Sequence, residues 1–189
     1  LGSKLGIDAT VKLAGEKVYN ENQGDGFNRS HPALVGLTIN TALIDEKLPV
    51  LIIGIDKSLV NQRALHQQLF ETGALQGVNW VVYVDPEAVN IRLQDITWLV
   101  ANNIDPLRDC FYAKANLNTD VPPMAIDGSR KSLSTDGFHR QWPNVLAMDD
   151  ETIRQVDELW GKLGLGEFIP SPSLNYKGLV KNEGAVAKG

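Results

Sequence analysis

Two stretches of this chain carry the same ordered set of charged and hydroxyl side chains. The first is Gly6-Ile7-Asp8-Ala9-Thr10-Val11-Lys12, followed by Asp25-Gly26-Phe27-Asn28-Arg29-Ser30-His31-Pro32. The second is Ala125-Ile126-Asp127-Gly128-Ser129-Arg130-Lys131, followed by Asp136-Gly137-Phe138-His139-Arg140-Gln141-Trp142-Pro143. Only the loop between the halves changes length: Ile7 to Asp25 is 18 positions, and Ile126 to Asp136 is 10. An Asp that ends a strand and precedes a hydroxyl residue accepts hydrogen bonds from the next turn. Phe27 and Phe138 suit anchors for the returning loop. Arg29 and Arg140 are then expected to reach back to Asp8 and Asp127 in charge-assisted pairs. The pattern predicts two related clasps that tie loops to a sheet.

Other reactive residues give weaker patterns. Asp56 and Asp85 each close an apolar run, the place where open α/β sheets bind ligands. No Gly-x-Gly-x-x-Gly follows either of them; Lys57-Ser58-Leu59 and Pro86-Glu87-Ala88 fill those turns. Helix capping is therefore expected there, rather than a nucleotide site. His31, His66 and His139 are scattered, and no Cys-x-x-Cys exists, so no zinc site is expected. Cys110 lies among apolar residues and reads as a packed small side chain, not a nucleophile. In Ile104-Asp105-Pro106-Leu107-Arg108-Asp109, Arg108 is expected to pair with Asp105 or Asp109 and brace a turn. No catalytic, cofactor-binding or metal-ligating residue is assigned.

The 189 residues suit one domain with an extra arm, large enough to bury a core without disulfide or metal. A net charge of −5 argues against a nucleic-acid surface and gives no support for anionic lipid binding. The single cysteine excludes an internal disulfide and is compatible with a reducing, cytoplasmic compartment. No apolar run has the length of a membrane helix. The chain begins at Leu1, inside a motif and without Met, and reads as a cut from a longer protein or an engineered boundary.

These side chains need a scaffold, and its outline is readable. Continuous apolar runs at 50–56 and 79–85 predict strands covered on both faces. An amphipathic helix is expected over 59–71, ended by Gly73, and another beyond Asp95 as far as Asn102-Asn103. Strands are expected at 109–113 and 124–127, with a short one at 4–8. Residues 33–46 fit strand or helix, with helix preferred after Pro32. Asp149-Asp150-Glu151 opens a helix over 151–163, where carboxylates meet the positive helix pole. Ile153, Val156, Leu159, Trp160 and Leu163 form its apolar stripe, and Gly164 ends it. The β-α-β order predicts an α/β domain over 1–169 with a mainly parallel sheet. Residues 170–189 read as an extended or flexible tail.

At the level of motifs the chain resembles the C-terminal part of UbiD-family decarboxylases, which include 3-octaprenyl-4-hydroxybenzoate carboxy-lyase. The resemblance rests on Leu1-Gly2-Ser3-Lys4 through Glu16, on Asp95-Ile96-Thr97-Trp98 with Ile104 through Asp109, and on Asp127 through Lys131. Arg140-Gln141-Trp142-Pro143 and the run from Met148 to Trp160 complete it. It departs from that family's usual pattern in having about a hundred residues between the first segment and the closing helix, and in having the motif twice. The resemblance implies a prenylated-FMN enzyme, with divalent metal and potassium, that reversibly decarboxylates aromatic or unsaturated acids in quinone biosynthesis. It also implies a catalytic Glu-Arg-Glu set in an upstream flavin-binding domain, and no position here matches that set. The expectation is thus a non-catalytic domain that packs on the flavin domain and supports a homo-oligomer, with the 151–163 helix, Trp142, Trp160 and the tail as contact candidates. A self-contained small-ligand module using Asp56 and Asp85 is the alternative, and a standalone enzyme is disfavoured.

Overall fold

Apolar runs flanked by turn residues become the centre of a sheet. In the computed structural model, which describes residues 26–115, 121–140, 142–181 and the backbone of 186–187, β1 (Thr38–Asn40) is followed by the one-turn α1 (Ala42–Asp45) and β2 (Val50–Gly54). Then come α2 (Gln62–Glu71), β3 (Trp80–Val84), α3 (Leu93–Asn103), the one-turn α4 (Pro106–Asp109) and β4 (Cys110–Tyr112). β5 (Met124–Asp127) and the one-turn α5 (Leu133–Asp136) close this part of the chain. Contacts divide the chain into two compact units, Leu1–His139 and Arg140–Gly189.

The first unit is α/β. Its sheet runs β1-β2-β3-β5-β4, with β2, β3 and β5 mutually parallel. The parallel strands carry the most buried side chains, as strands covered on both faces must: Leu51, Ile53, Val81, Tyr83 and Ala125 are fully enclosed. β1 and β4 run antiparallel to their neighbours and form the two edges.

Three local expectations change. Residues 33–46 do not form one helix. Pro32–Leu34 is a 3₁₀ turn, and β1 follows it. His31 caps that turn through its ring nitrogen, which accepts from the Ala33 N–H. The helix expected from 59 begins at Gln62, because Asn61 caps it by accepting from the Ala64 N–H at 3.0 Å. The strand around 110–112 is not parallel. Asp109 lies 3.4 Å from Lys131, just beyond the carboxyl end of β5, so the chain enters β4 from that end and must run back against β5. The strand expected at 4–8 lies outside the described residues.

α2 packs one face on the sheet through Gln62, His66 and Leu69, the i, i+4, i+7 spacing of a helical stripe. His66 is fully buried, edge-on to both Tyr83 and Phe111. Its Nε2 lies 3.1 Å from the Pro123 carbonyl, which can only accept, so Nε2 carries the proton. Nδ1 then accepts from the Tyr83 hydroxyl at 3.0 Å. Burial pushes the His66 pKa down, against the opposing pull of the Pro123 carbonyl, and pushes the Tyr83 hydroxyl up.

In the second unit, β6 (Ala147–Met148) pairs in parallel with β7 (Val186–Ala187). α6 (Asp150–Leu163) is capped by Asp149, whose carboxylate accepts from the Thr152 N–H at 2.7 Å, and ends at Gly164 in the left-handed conformation. The segment expected as an extended arm carries 3₁₀ turns at Pro172–Asn175 and Lys177–Leu179. Ser173 ties it back by accepting from the Met148 N–H. Trp160 donates to the Gly166 and Glu167 carbonyls and meets Phe168 edge to face, folding the residues after the helix against it. Of the α6 stripe only Ile153 is buried; Val156, Leu159 and Leu163 remain about half exposed.

The neutral His66 predicts an acid-labile step. Its folded pKa lies below 6.5, so the unfolded chain binds the proton first, and stability falls as pH drops from about 6.5 towards the folded value. Chemical unfolding at pH 7.5 and 5 should show this loss in the native chain and a smaller one in His66→Gln.

Candidate functional site

The second motif copy builds a buried charge network at the carboxyl end of β5. The strand delivers Asp127 at its last position. The next turn folds back because Asp127 Oδ1 accepts from both the N–H and the hydroxyl of Ser129. That turn carries Lys131 into the interior with its side chain fully enclosed. Lys131 Nζ donates to the Asp127 carbonyl at 2.8 Å and lies 3.0 Å from the Asp127 carboxylate. It also faces Asp109, which is gripped by Arg108 through two 2.7 Å bonds and accepts from the Asp105 N–H.

Lys57, delivered by the loop after β2, crosses to the same place from 70 positions away. Its ammonium lies 2.9 Å from Asp127 and 2.5 Å from Asp136. Asp136 ends α5, and its other oxygen accepts from the Ser132 N–H and the Thr135 hydroxyl. Gly137 follows with φ 65°, a left-handed helix end that glycine adopts without strain. The Asp-Gly pair of the motif is therefore a carboxylate anchor followed by a helix stop.

Three carboxylates (Asp109, Asp127, Asp136) thus face three cations (Lys57, Lys131, Arg108). Burial alone would raise the Asp127 pKa, but Lys131, Lys57 and the Ser129 hydrogen bond hold it below the ordinary carboxylate range. Burial likewise works against Asp136, and its bonds from Lys57, Thr135 and Ser132 outweigh it. Burial lowers the Lys131 ammonium, with Asp127 opposing, Lys57 reinforcing and Asp109 opposing. The bond to Asp109 raises Arg108. A mutually saturated set like this fixes geometry, and its oxygens are already spent on ammonium and guanidinium groups. Among the described residues no group of three His, Cys, Asp or Glu side chains is placed to hold a metal.

Among the described residues of the first unit, the Asp127 carboxylate is held by Lys57, Lys131 and Ser129. Phe138 is half-buried. In the first copy Arg29 pairs with Asp45, Phe27 packs against the core, and Asp8 lies outside the described residues. The expected Arg108–Asp109 brace is present. Asp56 makes a turn with Ser58, accepting from its N–H and hydroxyl, and Asp85 accepts from the Arg130 N–H. Cys110 is half-buried, and burial with the Asp109 charge raises its thiol pKa.

Lys57 had no local sequence signature. Its one clue was a cation directly after an apolar strand that ends in Asp56. Asn103 was also missed: it donates to the Gly128 carbonyl at 2.8 Å and so ties the end of α3 to the motif turn. Gly128 is needed there, because a Cβ would sit 2.5 Å from Val100 Cγ2 and 3.1 Å from Val100 Cβ.

No protein-family profile matches the chain. It is similar to an uncharacterized protein of Archaeoglobus fulgidus, at 29% identity over 140 residues covering 64% of this chain and 29% of that protein. An uncharacterized protein of Aquifex aeolicus is 29% identical over 94 residues, covering 44% of this chain and 19% of that protein. One of Aeropyrum pernix is 30% identical over 108 residues, 51% of this chain and 22% of that protein. The chain spans less than a third of the length of each of these relatives.

Two substitutions probe the network. Lys57→Met removes the cation partner of Asp136 and one of the two cations on Asp127, and should cost about 3 kcal/mol in denaturant unfolding at pH 7. The deficit should shrink at acid pH, where the carboxylates protonate. Gly128→Ala should cost roughly 1–3 kcal/mol by overpacking, and Val100→Ala in the same chain should restore part of it.

Proposed function

We propose that this chain is the C-terminal, non-catalytic domain of a UbiD-like, prenylated-FMN-dependent carboxy-lyase in the cytoplasm. The whole protein would reversibly decarboxylate aromatic or unsaturated acids, with 3-polyprenyl-4-hydroxybenzoate in quinone biosynthesis as the default substrate. The observation that carries this reading is the meeting of two separate stretches on which the resemblance rests. Asp105–Asp109 and Asp127–Lys131 join in one buried network through Lys131 and Asp109. The motifs therefore read as one structural unit whose charged groups serve the domain itself. The flavin, its divalent metal and potassium belong to the upstream domain, and no residue of this chain is assigned to them.

The docking role is supported by α6. Its half-exposed Val156, Leu159 and Leu163, with Leu165, Phe168 and Ile169 beyond the helix, form an apolar face suited to the flavin domain or a second copy. Among the described residues no helix is long and apolar enough to cross a membrane.

The test uses the polypeptide encoded by the whole gene. Loaded with prenylated FMN, it should release CO2 from aromatic or α,β-unsaturated acids; failure to bind the flavin would remove the reading. In that same polypeptide, Leu159→Glu with Leu163→Glu should lower the mass seen by light scattering while leaving flavin binding intact. An unchanged mass would remove the oligomer role.

A further inference from the structure

The charge network has one open side. A cavity of about 580 Å³ lies between the loop after β2, the first turn of α2 and the residues of α4 and α5. Most charged groups on its wall are committed: Lys57 to Asp127 and Asp136, and Arg108 to Asp109. Arg63 differs. Its guanidinium lies 4.2 Å over the Phe111 ring and donates to the Arg108 carbonyl at 3.2 Å, and it meets no carboxylate among the described residues. Lys57 and Arg108 each have a carboxylate partner on this wall, and Arg63 has none among the described residues.

The residue before it supplies a second, independent sign. Gln62 lines the same cavity and is only 9% exposed, and its Nε2 is buried without a hydrogen-bond partner. A buried donor left unpaired is costly, by about 1–3 kcal/mol. Both residues belong to the first turn of the ten-residue α2, where backbone N–H groups lack partners within the helix. Asn61 satisfies the Ala64 N–H. Beside this polar corner Leu59 and Val60 form an apolar lip, exposed at 82% and 38%.

We propose that this cavity binds a small organic carboxylate with an apolar body. A guanidinium that meets no carboxylate among the described residues matches a single negative charge. A phosphate dianion would set its second charge against Asp109 and Asp136. A guanidinium above an aromatic ring, with one nitrogen on the Arg108 carbonyl, has further N–H donors that suit carboxylate oxygens. The terminal amide of Gln62 turns about its last side-chain bond, a soft torsion, to bring its unspent donor to one of them. Leu59 and Val60 then cover the apolar part. The cavity is lined by residues of this chain alone, so its test is independent of the decarboxylase reading.

Hexanoate, hexylammonium and inorganic phosphate, each titrated into the ¹⁵N-labelled chain at neutral pH, distinguish the outcomes. Hexanoate should saturate with a Kd of about 1 mM or tighter and move the amide signals of Gln62 and Arg63 most. Arg63→Gln, at an exposed side chain, should keep the melting temperature and weaken hexanoate by roughly tenfold or more. Gln62→Met should also weaken it while keeping or raising stability. The proposal is overturned by absence of hexanoate binding, by equal binding of phosphate or hexylammonium, or by unchanged affinity in Arg63→Gln.

Discussion

Lys131 is a cation with no access to water, and the first unit is arranged around that fact. An enclosed ammonium survives only with close carboxylates and a full set of acceptors. Asp127 supplies both a carboxylate and a carbonyl, and Asp109 a second carboxylate. Each of these has its own requirement. Asp109 needs Arg108, so the Asp105-Pro106 turn must sit at the carboxyl edge of the sheet. Asp127 needs Lys57, so the loop after β2 must reach across β3's end to β5. Asp136 shares that lysine and thereby fixes α5. Chemistry local to one turn thus specifies contacts among segments far apart in sequence.

This arrangement explains why the motif reads so clearly in sequence. Its Asp, Ser and Lys look reactive because they are polar, closely spaced and set after a strand. In the fold they consume each other's hydrogen-bonding capacity. What remains open is the adjoining corner at Gln62 and Arg63, two residues that no motif singles out.

Elements set by local pattern were legible: the apolar runs that became β2 and β3, the motif strand that became β5, the presence of α2, and the Asp149 cap with the Gly164 stop of α6. The pairing of Arg108 with its neighbour Asp109 was legible for the same reason. What escaped depends on distance. The direction of β4 is decided by where α4 lands, which follows from Lys131 reaching Asp109. Lys57 meets Asp127 across 70 positions of sequence, a contact that no local pattern announces. The α6 stripe showed correct periodicity, but periodicity does not tell which partner covers a face.

The order of strands in the sheet differs from their order along the chain, and this has a consequence for how the unit is made. β4 is synthesised before β5, yet β5 is its sheet neighbour and stands between it and β3. Until residue 127 has left the ribosome, β3 presents an unpaired edge and β4 has no strand to join. Lys57, Arg108 and Asp109 are made before that last strand, and they gain Asp127, Lys131 and Asp136 as partners only when it and the turn after it emerge. Synthesis therefore passes through a stage in which the hairpin of β1 and β2, with β3, is the largest sheet available, and exposed strand edges of that kind are what chaperones shield. The final strand closes the sheet and completes a lock whose first half is already in the chain.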